Sequence, residues 1–163
     1  MTRIVQIGKS LKPWQPKKKK KKYKEKVTKT TLEKQSRKSI RKELDKLWAE
    51  LVKKRAGYKC ERGGKTRYLN SHHIFSRSNL SVRWDLDNGV CLNAGWHTLQ
   101  TNSAHKAPIE FIEWIKDKRG EKWYQELRIK ANQIKKWSTP ELRILLERFR
   151  KELVSDYILK GEM

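Results

Sequence analysis

The sequence predicts a mostly helical α+β protein with a small β-hairpin, flanked by amphipathic helices and preceded by a disordered basic tail. Three observations support this fold class. Apolar residues recur at helical spacing in residues 31 to 56 and again in the C-terminal third. Two short segments, 67 to 75 and 88 to 92, have strand character and are joined by a polar connection. Lysines form an unbroken block near the start of the chain, at positions 17 to 22.

The charge of the chain is large and unevenly placed. The 163 residues carry a formal net charge of +23, which favours a polyanionic partner such as nucleic acid or an acidic membrane surface. Residues 1 to 70 hold 25 Lys and Arg against 6 Asp and Glu. No apolar segment reaches membrane-spanning length and no signal-peptide pattern opens the chain, so no membrane partner is expected. Two cysteines are too few for a disulfide framework and indicate a reducing, cytoplasmic location.

Residues 1 to 29 are predicted to form a flexible basic tail, because a block of like charges repels itself and has little to bury. Such a tail can be a solubilising segment, a localisation signal or an arm that binds phosphates without sequence preference. We favour the phosphate-binding arm. The residues assigned to nucleic-acid binding in it are Lys17, Lys18, Lys19, Lys20, Lys21 and Lys22.

Residues 30 to 57 are predicted to contain a basic amphipathic helix over 31 to 56. Thr30 and Glu33 have the spacing of a capping box, and Gly57 lies where a helix should end. The apolar face carries Ile40, Leu44, Leu47, Trp48, Leu51 and Val52. The opposite face is basic, and Arg41 and Lys42 on it are candidate contacts to the DNA backbone.

Residues 58 to 106 contain all four histidines of the chain. His72 and His73 are adjacent, so on a regular strand their side chains face opposite sides. One can then hold a metal while the other approaches a phosphate, and His97, at the start of a short helix, can return to the same metal. Imidazole serves both as a ligand and as a base near pH 7. Asn88 is expected to lock the hairpin through side-chain hydrogen bonds to the backbone.

Residues 107 to 163 are predicted to form a helical C-terminal region that acts as a scaffold. Pro108 opens a helix that runs to about Lys118 and stops at Gly120. A second helix, from Glu121 to about Lys136, carries Trp123, Leu127, Ala131 and Ile134. A third begins with Thr139 as its cap and buries Leu142, Leu145, Leu146, Phe149, Leu153 and Tyr157.

The order of the paired histidines, the central asparagine and the distal histidine resembles the HNH endonucleases of the ββα-metal fold. The likeness covers residues 69 to 132 and is greatest to the phage recombination-type (NinG-like) members. The residues that carry it are the Arg83-Trp84-Asp85-Leu86-Asp87-Asn88 run and the Pro108-Ile109-Glu110-Phe111-Ile112-Glu113-Trp114 run.

The resemblance implies a role for each matched residue. His72 and His97 become metal ligands, His73 the general base and Asn88 the structural asparagine. The implied cofactor is one divalent ion, Mg²⁺, Mn²⁺ or Zn²⁺, and the implied substrate is double-stranded or branched DNA in a bacterial host. Arg77 and Arg83 are candidate phosphate clamps, with Arg83 assigned to the catalytic set.

The sequence departs from this family in two respects. Many members hold a structural zinc with four cysteines, but the corresponding positions here are Cys60, Gly63, Asn93 and Trp96. A Cys₄ site cannot form, so no structural zinc is expected, and Trp84 and Trp96 are expected to pack there instead.

The third metal ligand is open among three residues. Gln100 and Thr101 lie one turn after His97, whereas His105 lies eight residues on and can join the site only if the helix breaks. Two other functions also remain open: a non-catalytic DNA-binding protein with a degenerate core, and a structural or RNA-binding protein that uses the basic half alone.

Overall fold

The computed structural model describes residues 35 to 159, with side chains described up to residue 154. Its helices are α1 (Arg37–Arg55), α2 (Pro108–Arg119), α3 (Glu121–Ala131) and α4 (Thr139–Leu159). The strands β1 (Leu69–His73) and β2 (Gly89–Asn93) form an antiparallel hairpin, and a five-residue π-helical turn, Gly95–Leu99, follows. The expected mixed fold with mainly helical content is confirmed. The tail at 1 to 29, with Lys17 to Lys22, lies outside the described residues.

Helix α1 begins later than the predicted 31 to 56 range. Ser36 is its N-cap, and its hydroxyl accepts a hydrogen bond from the amide of Ser39 at 3.2 Å. Thr30 and Glu33 lie outside the described residues. The end agrees with the sequence, because Gly57 has a φ of +59° and its amide donates to the carbonyl of Lys54 at 2.9 Å.

Helices α1 and α4 pack against each other around the largest apolar cluster. All six residues predicted for the inner face of α1, from Ile40 to Val52, are buried. They meet a matching set from α4, namely Leu142, Leu145, Leu146 and Phe149. Trp84, from the connection between the strands, is 3% exposed and joins this cluster. The basic helix is therefore attached to the hairpin by a continuous core.

Strand β2 is buried along its whole length, between two apolar clusters. Because side chains alternate along a strand, Cys91 faces the α1–α4 cluster, while Val90 and Leu92 face a second cluster with Phe111 and Ile115 of α2. The register pairs His72 with Val90 and His73 with Gly89. The hairpin thus places the paired histidines opposite the start of a strand that is held from both sides.

Helix α3 ends at Ala131, so its predicted extension to Lys136 is wrong. The side chain of Asn79 donates to the carbonyl of Ala131 at 2.7 Å, and the hydroxyl of Ser81 donates to that of Gln133. These side chains satisfy carbonyls that a longer helix would have used itself. Ile134, predicted to lie on this helix, is beyond its end and is 93% exposed.

Helix α4 is capped by Ser138 and not by the predicted Thr139. The Ser138 hydroxyl accepts from the amide of Glu141 at 3.3 Å, and the Glu141 carboxylate accepts from the amide of Ser138 at 2.7 Å. This reciprocal pair is a capping box. Tyr157, predicted to be inward, lies beyond the described side chains. Between residues 35 and 159, no helix has the length and apolar character needed to cross a membrane.

The carboxylate of Asp45 on α1 organises the connection between the strands. It accepts from Nε and Nη2 of Arg83 at 2.9 and 2.7 Å and from the indole N–H of Trp84 at 2.9 Å. Arg77 donates to it as well, at 3.1 Å. Burial alone would raise the pKa of Asp45, but the hydrogen bonds from Arg83 and Trp84 and the two guanidinium charges outweigh it and lower that pKa.

We expect Asp45→Asn to lower the free energy of unfolding by about 3 kcal/mol, because it leaves the buried guanidinium of Arg83 without its counter-charge. Urea unfolding followed by circular dichroism measures the change. Asp117→Asn, at an exposed position on α2, is the matched control and should stay within about 0.5 kcal/mol of the parent. Equal losses in both variants would contradict the role given to Asp45.

The pH dependence of this difference has a definite sign. Because the folded pKa of Asp45 lies below its ordinary value of 3.8, its contribution is fully present above that value and is lost as the pH falls through the folded pKa. The stability difference between the parent and Asp45→Asn should therefore be constant from pH 5 to 7 and shrink below pH 4. A difference that stays constant down to pH 2 would contradict the ion pair.

Candidate metal centre and its surroundings

Three histidines converge on one point at the end of the hairpin. The nitrogen atoms of His72, His97 and His105 that face each other all lie within 4.8 Å of one another. The two Nε2 atoms of His97 and His105 are 3.2 Å apart. The rings of His97 and His105 approach the ring of His72 edge-on, with centroid distances of 5.3 and 5.0 Å. These residues lie close enough together to bind one metal ion.

His105 joins this cluster because the helical turn stops after Leu99. Gln100 adopts an extended conformation, with a ψ of 156°, and the chain then folds back. The amide of His105 donates to the carbonyl of His97 at 3.3 Å, and the amide of Ala104 donates to that of Trp96 at 2.9 Å. The interruption of the helix after His97, which the sequence analysis required for His105 to join the site, is therefore present. Of the three candidates for a third ligand, His105 is the one whose ring nitrogen lies close to those of His72 and His97.

The environment keeps the imidazoles of His72 and His97 neutral. Burial, followed by the proximity of His97, His105 and His73, lowers the pKa of His72 to about 3. Burial and the neighbouring His105 also lower the pKa of His97. A neutral imidazole offers a lone pair on one nitrogen, which a metal ion requires. The edge of Phe111 from α2, 4.9 Å from His72 between ring centroids, helps to exclude water from one side of the cluster.

His73 lies on the neighbouring position of β1 and has different contacts. Its ring stacks on the indole of Trp48 with a centroid distance of 3.7 Å and an interplanar angle of 12°. Its Nε2 lies 3.0 Å from the carbonyl oxygen of Arg83. A carbonyl only accepts, so Nε2 carries the proton and Nδ1 of the neutral ring keeps a free lone pair. Burial lowers the pKa of His73, although the bond to Arg83 opposes this.

Asn88 holds the two ends of the connecting loop together, as the sequence predicts. It is fully buried. Its side-chain oxygen accepts from the amide of Phe75 at 2.7 Å, and its nitrogen donates to the carbonyls of Phe75 and Val82, each at 3.0 Å. The loop from 74 to 88 would otherwise leave these backbone groups buried without partners. The side-chain amide of Asn88 therefore fixes the path of the backbone immediately after the paired histidines.

Arg83 is not placed as the phosphate clamp that the sequence suggested. Its guanidinium is buried on Asp45 and also donates to the carbonyl of Arg77 at 2.9 Å. Because the guanidinium is buried and paired with a carboxylate, it supports His73 and does not face a substrate. The backbone carbonyl oxygen of Arg83 contacts the ring of His73. Arg77 shares Asp45 but its side chain is 66% exposed, so its remaining donors face solvent.

The basic face of α1 lies on the same helix as Asp45, which binds Arg77. Lys38, Lys42 and Lys46 are exposed at four-residue spacing, which places them along one side of the helix. Arg41 of the predicted contact pair is half-buried, while Lys42 is exposed. Since Asp45 on the same helix holds Arg77, the lysines and Arg77 form one basic surface that ends beside His73. We call these four residues, Lys38, Lys42, Lys46 and Arg77, the basic ridge.

Trp96 packs against Gly63, as the sequence predicts for this indole. A Cβ at Gly63 would lie 2.7 Å from the indole nitrogen of Trp96, so glycine is needed for this approach. The guanidinium of Arg62 covers Trp96 at 4.3 Å and Trp114 at 5.3 Å from the ring centroids. Trp84, expected at the same place, lies instead in the α1–α4 cluster. Cys60 and Cys91 are both buried, and burial raises the pKa of Cys91 to about 11.

Sequence patterns did not reveal three residues that shape the site. Asp45 is a single acidic residue on a basic helix, Trp48 belongs to an apolar face, and Phe111 belongs to a helix in another region. Tertiary packing places Trp48 against His73 and Phe111 against His72, and it places Asp45 against Arg83, which bonds to His73. Two signals exist in the sequence: Asp45 and Trp48 lie three residues apart on the helix that precedes the histidines, and Phe111 belongs to the 108 to 114 run that carries the resemblance described above.

Comparison with known proteins gives no further assignment: no family model, curated protein or solved structure matches the chain.

Removing one histidine of the cluster should weaken metal binding strongly. We expect His105→Ala and His97→Ala each to reduce the affinity for Zn²⁺ or Co²⁺ by more than about 10-fold, because loss of a ligand exceeds the loss of a supporting contact. Calorimetric titration of chelator-treated protein measures the affinity, and the visible spectrum of bound Co²⁺ reports the ligand set.

His73→Ala is the matched control, since the chain has only four histidines and this one bonds to the carbonyl of Arg83. It should bind the metal like the parent. If all three variants bind like the parent, the cluster is not the metal site.

Proposed function

We propose that this protein is a metal-dependent endonuclease that hydrolyses phosphodiester bonds in DNA, with the histidine cluster and His73 as an HNH-type site. One observation carries the proposal: His72, on which His97 and His105 converge, and His73, whose Nδ1 is free, occupy adjacent positions of strand β1. Hydrolysis needs a base for water and a positive centre for the phosphate. Adjacent residues of β1 offer these two functions on different sides of the strand.

In the proposed reaction, His73 acts as the general base. Its Nε2–H is held by Arg83 and its ring is held by Trp48, so Nδ1 keeps one orientation toward the attacking water. Burial keeps the ring neutral, which is the form that accepts a proton. Asp45 acts on this residue indirectly, because it holds Arg83 in place. Arg77, on the same carboxylate, is the exposed guanidinium that we assign to a non-bridging phosphate oxygen.

His72, His97 and His105 would hold the ion. When bound, it supplies charge stabilisation to the phosphate and to the leaving 3′ oxygen. Three imidazole donors suit Zn²⁺ or Ni²⁺ better than Mg²⁺, which prefers oxygen ligands. Among the ions considered from the sequence, Zn²⁺ therefore fits best and Mg²⁺ fits least. The ligand set leaves room for substrate at the exposed side, where His105 lies.

The substrate class follows from charge. The net charge of +23 and the basic ridge favour a phosphate backbone as the binding partner. Backbone contacts carry no sequence information by themselves, so the basic ridge supplies affinity for DNA and not a preference for one sequence. A single catalytic base and a single metal position make one cut per binding event, and nicking is therefore the expected product.

Plasmid nicking tests this proposal. The native chain should convert supercoiled DNA to open circles with added Zn²⁺, Ni²⁺ or Mn²⁺ and should stop when a chelator is added. His73→Gln should lower the rate by about 100-fold or more, because the glutamine amide can still donate to Arg83 but cannot accept the proton.

DNA binding of His73→Gln, measured by gel shift, should match the parent, and its melting temperature should stay close to that of the parent. If the native chain binds DNA but cuts neither linear nor branched substrates with any of these ions, the catalytic proposal is wrong. A DNA-binding protein on a degenerate nuclease core would then be the better description.

A further inference from the structure

Tyr68 combines two unusual features immediately before β1. Its side chain is 82% exposed, the largest exposure of any aromatic residue among the described exposed hydrophobic residues. Its φ is +54°, in the left-handed region that bulky residues rarely adopt. Strain of this kind persists only where surrounding contacts impose it, and it is often associated with binding sites.

The contacts that impose this conformation act on the backbone of Tyr68. Its carbonyl oxygen accepts from the amide of Ala94 at 2.9 Å and from the side chain of Asn70 at 3.3 Å. Ala94 directly precedes the π-helical turn that carries His97. The backbone of Tyr68 is thus tied to the element that supplies a candidate metal ligand, while the ring is directed to solvent.

Tyr58 provides an internal comparison, because it has the same φ of +54°. There the conformation ends helix α1, since the amide of Tyr58 donates to the carbonyl of Lys53 at 2.9 Å. Its hydroxyl donates to Glu50 at 3.0 Å, and its side chain is 46% exposed. Helix termination accounts for Tyr58 but not for Tyr68, which follows an irregular segment.

The surroundings of Tyr68 favour nucleic acid as its partner. Lys65 and Arg67, in the segment that leads to it, are exposed. Tyr68 lies four residues before His72, which at a strand rise of about 3.3 Å per residue is roughly 13 Å. That distance corresponds to about four base steps along one strand of DNA. A base at Tyr68 and a phosphate at the histidine cluster can therefore belong to the same bound strand.

We propose that Tyr68 is a stacking platform for an unpaired base of the DNA substrate, and that it directs the protein to DNA with unpaired bases near the cut. This inference rests on the proposed function and specifies its substrate. A base within a continuous duplex has both faces covered by its neighbours, whereas an unpaired base can place one face on an aromatic ring. The backbone bonds of Tyr68 hold the ring outward before DNA arrives, which lowers the entropy lost on binding.

Fluorescent DNA tests the inference in the His73→Gln background, where binding is separated from cutting. Two 20-base-pair duplexes carry 2-aminopurine, either fully paired or within a three-nucleotide bubble, at 150 mM salt to weaken the non-specific phosphate contacts. We expect quenching of the bubble probe on binding. Tyr68→Ala should lose this quenching and about 10-fold in affinity for the bubble, with little change for the paired duplex.

Tyr68→Phe keeps the ring and should retain both the quenching and the affinity. Tyr58→Ala is the matched control and should behave like the parent. Tyr68→Gly should remove the preference for the bubble without lowering the melting temperature, because glycine adopts the positive φ without strain. Equal binding of the bubble by Tyr68→Ala and the parent, or an equal loss on both probes, would overturn the inference.

The failure of this inference differs from the failure of the proposed function. If the native chain nicks DNA and Tyr68→Ala cuts bubble and paired substrates at the parent's rates, the nuclease proposal stands and the stacking role is wrong. If the native chain never cuts but Tyr68 is needed for quenching, the stacking role stands without the catalytic one.

Discussion

The ion pair between Asp45 and Arg83 connects helix α1 to the loop that orients His73. Asp45 is supplied by α1, which is fixed by the large apolar cluster with α4. Arg83 belongs to the loop that connects β1 and β2. The two hydrogen bonds between Asp45 and Arg83 position the carbonyl oxygen of Arg83, which accepts a hydrogen bond from Nε2 of His73. The orientation of the proposed base therefore depends on a carboxylate that never approaches the substrate in our proposal.

The same loop shows how polar groups can substitute for a larger core. Between Ile74 and Asn88, the backbone makes a few turn hydrogen bonds of its own, and side chains satisfy further backbone groups. Asn88 binds three backbone groups, and Asn79 and Ser81 bind the end of α3. Buried polar groups that are fully paired specify one arrangement, because every alternative leaves some of them unpaired. This explains how a two-stranded sheet, which is marginal alone, can hold a defined site.

The cluster of three histidines depends on an interruption of helical structure. A continuous helix after His97 would carry His105 about 12 Å away along its axis. The chain instead turns back at Gln100, and His105 returns to His97 through a backbone hydrogen bond. Spacing in the sequence could only mark His105 as one of three candidates. Its selection required the turn, which forms together with the packing of Ala104 into the cluster around Phe111.

Local sequence patterns predicted several structural features correctly. These are the apolar face of α1, its end at Gly57, the positions of both strands, the start of α2 at Pro108 and the side-chain hydrogen bonds of Asn88 to the backbone. These features depend on periodicity, backbone conformation or a side chain bonding near its own position, so the sequence predicts them. Tertiary structure decided which groups meet across the chain. It engaged Arg83 with Asp45, placed Trp84 and Trp96 in different clusters, ended α3 at Ala131 and brought His105 to His72. Each of these outcomes depends on burial and on partners distant in the sequence, which no local pattern specifies.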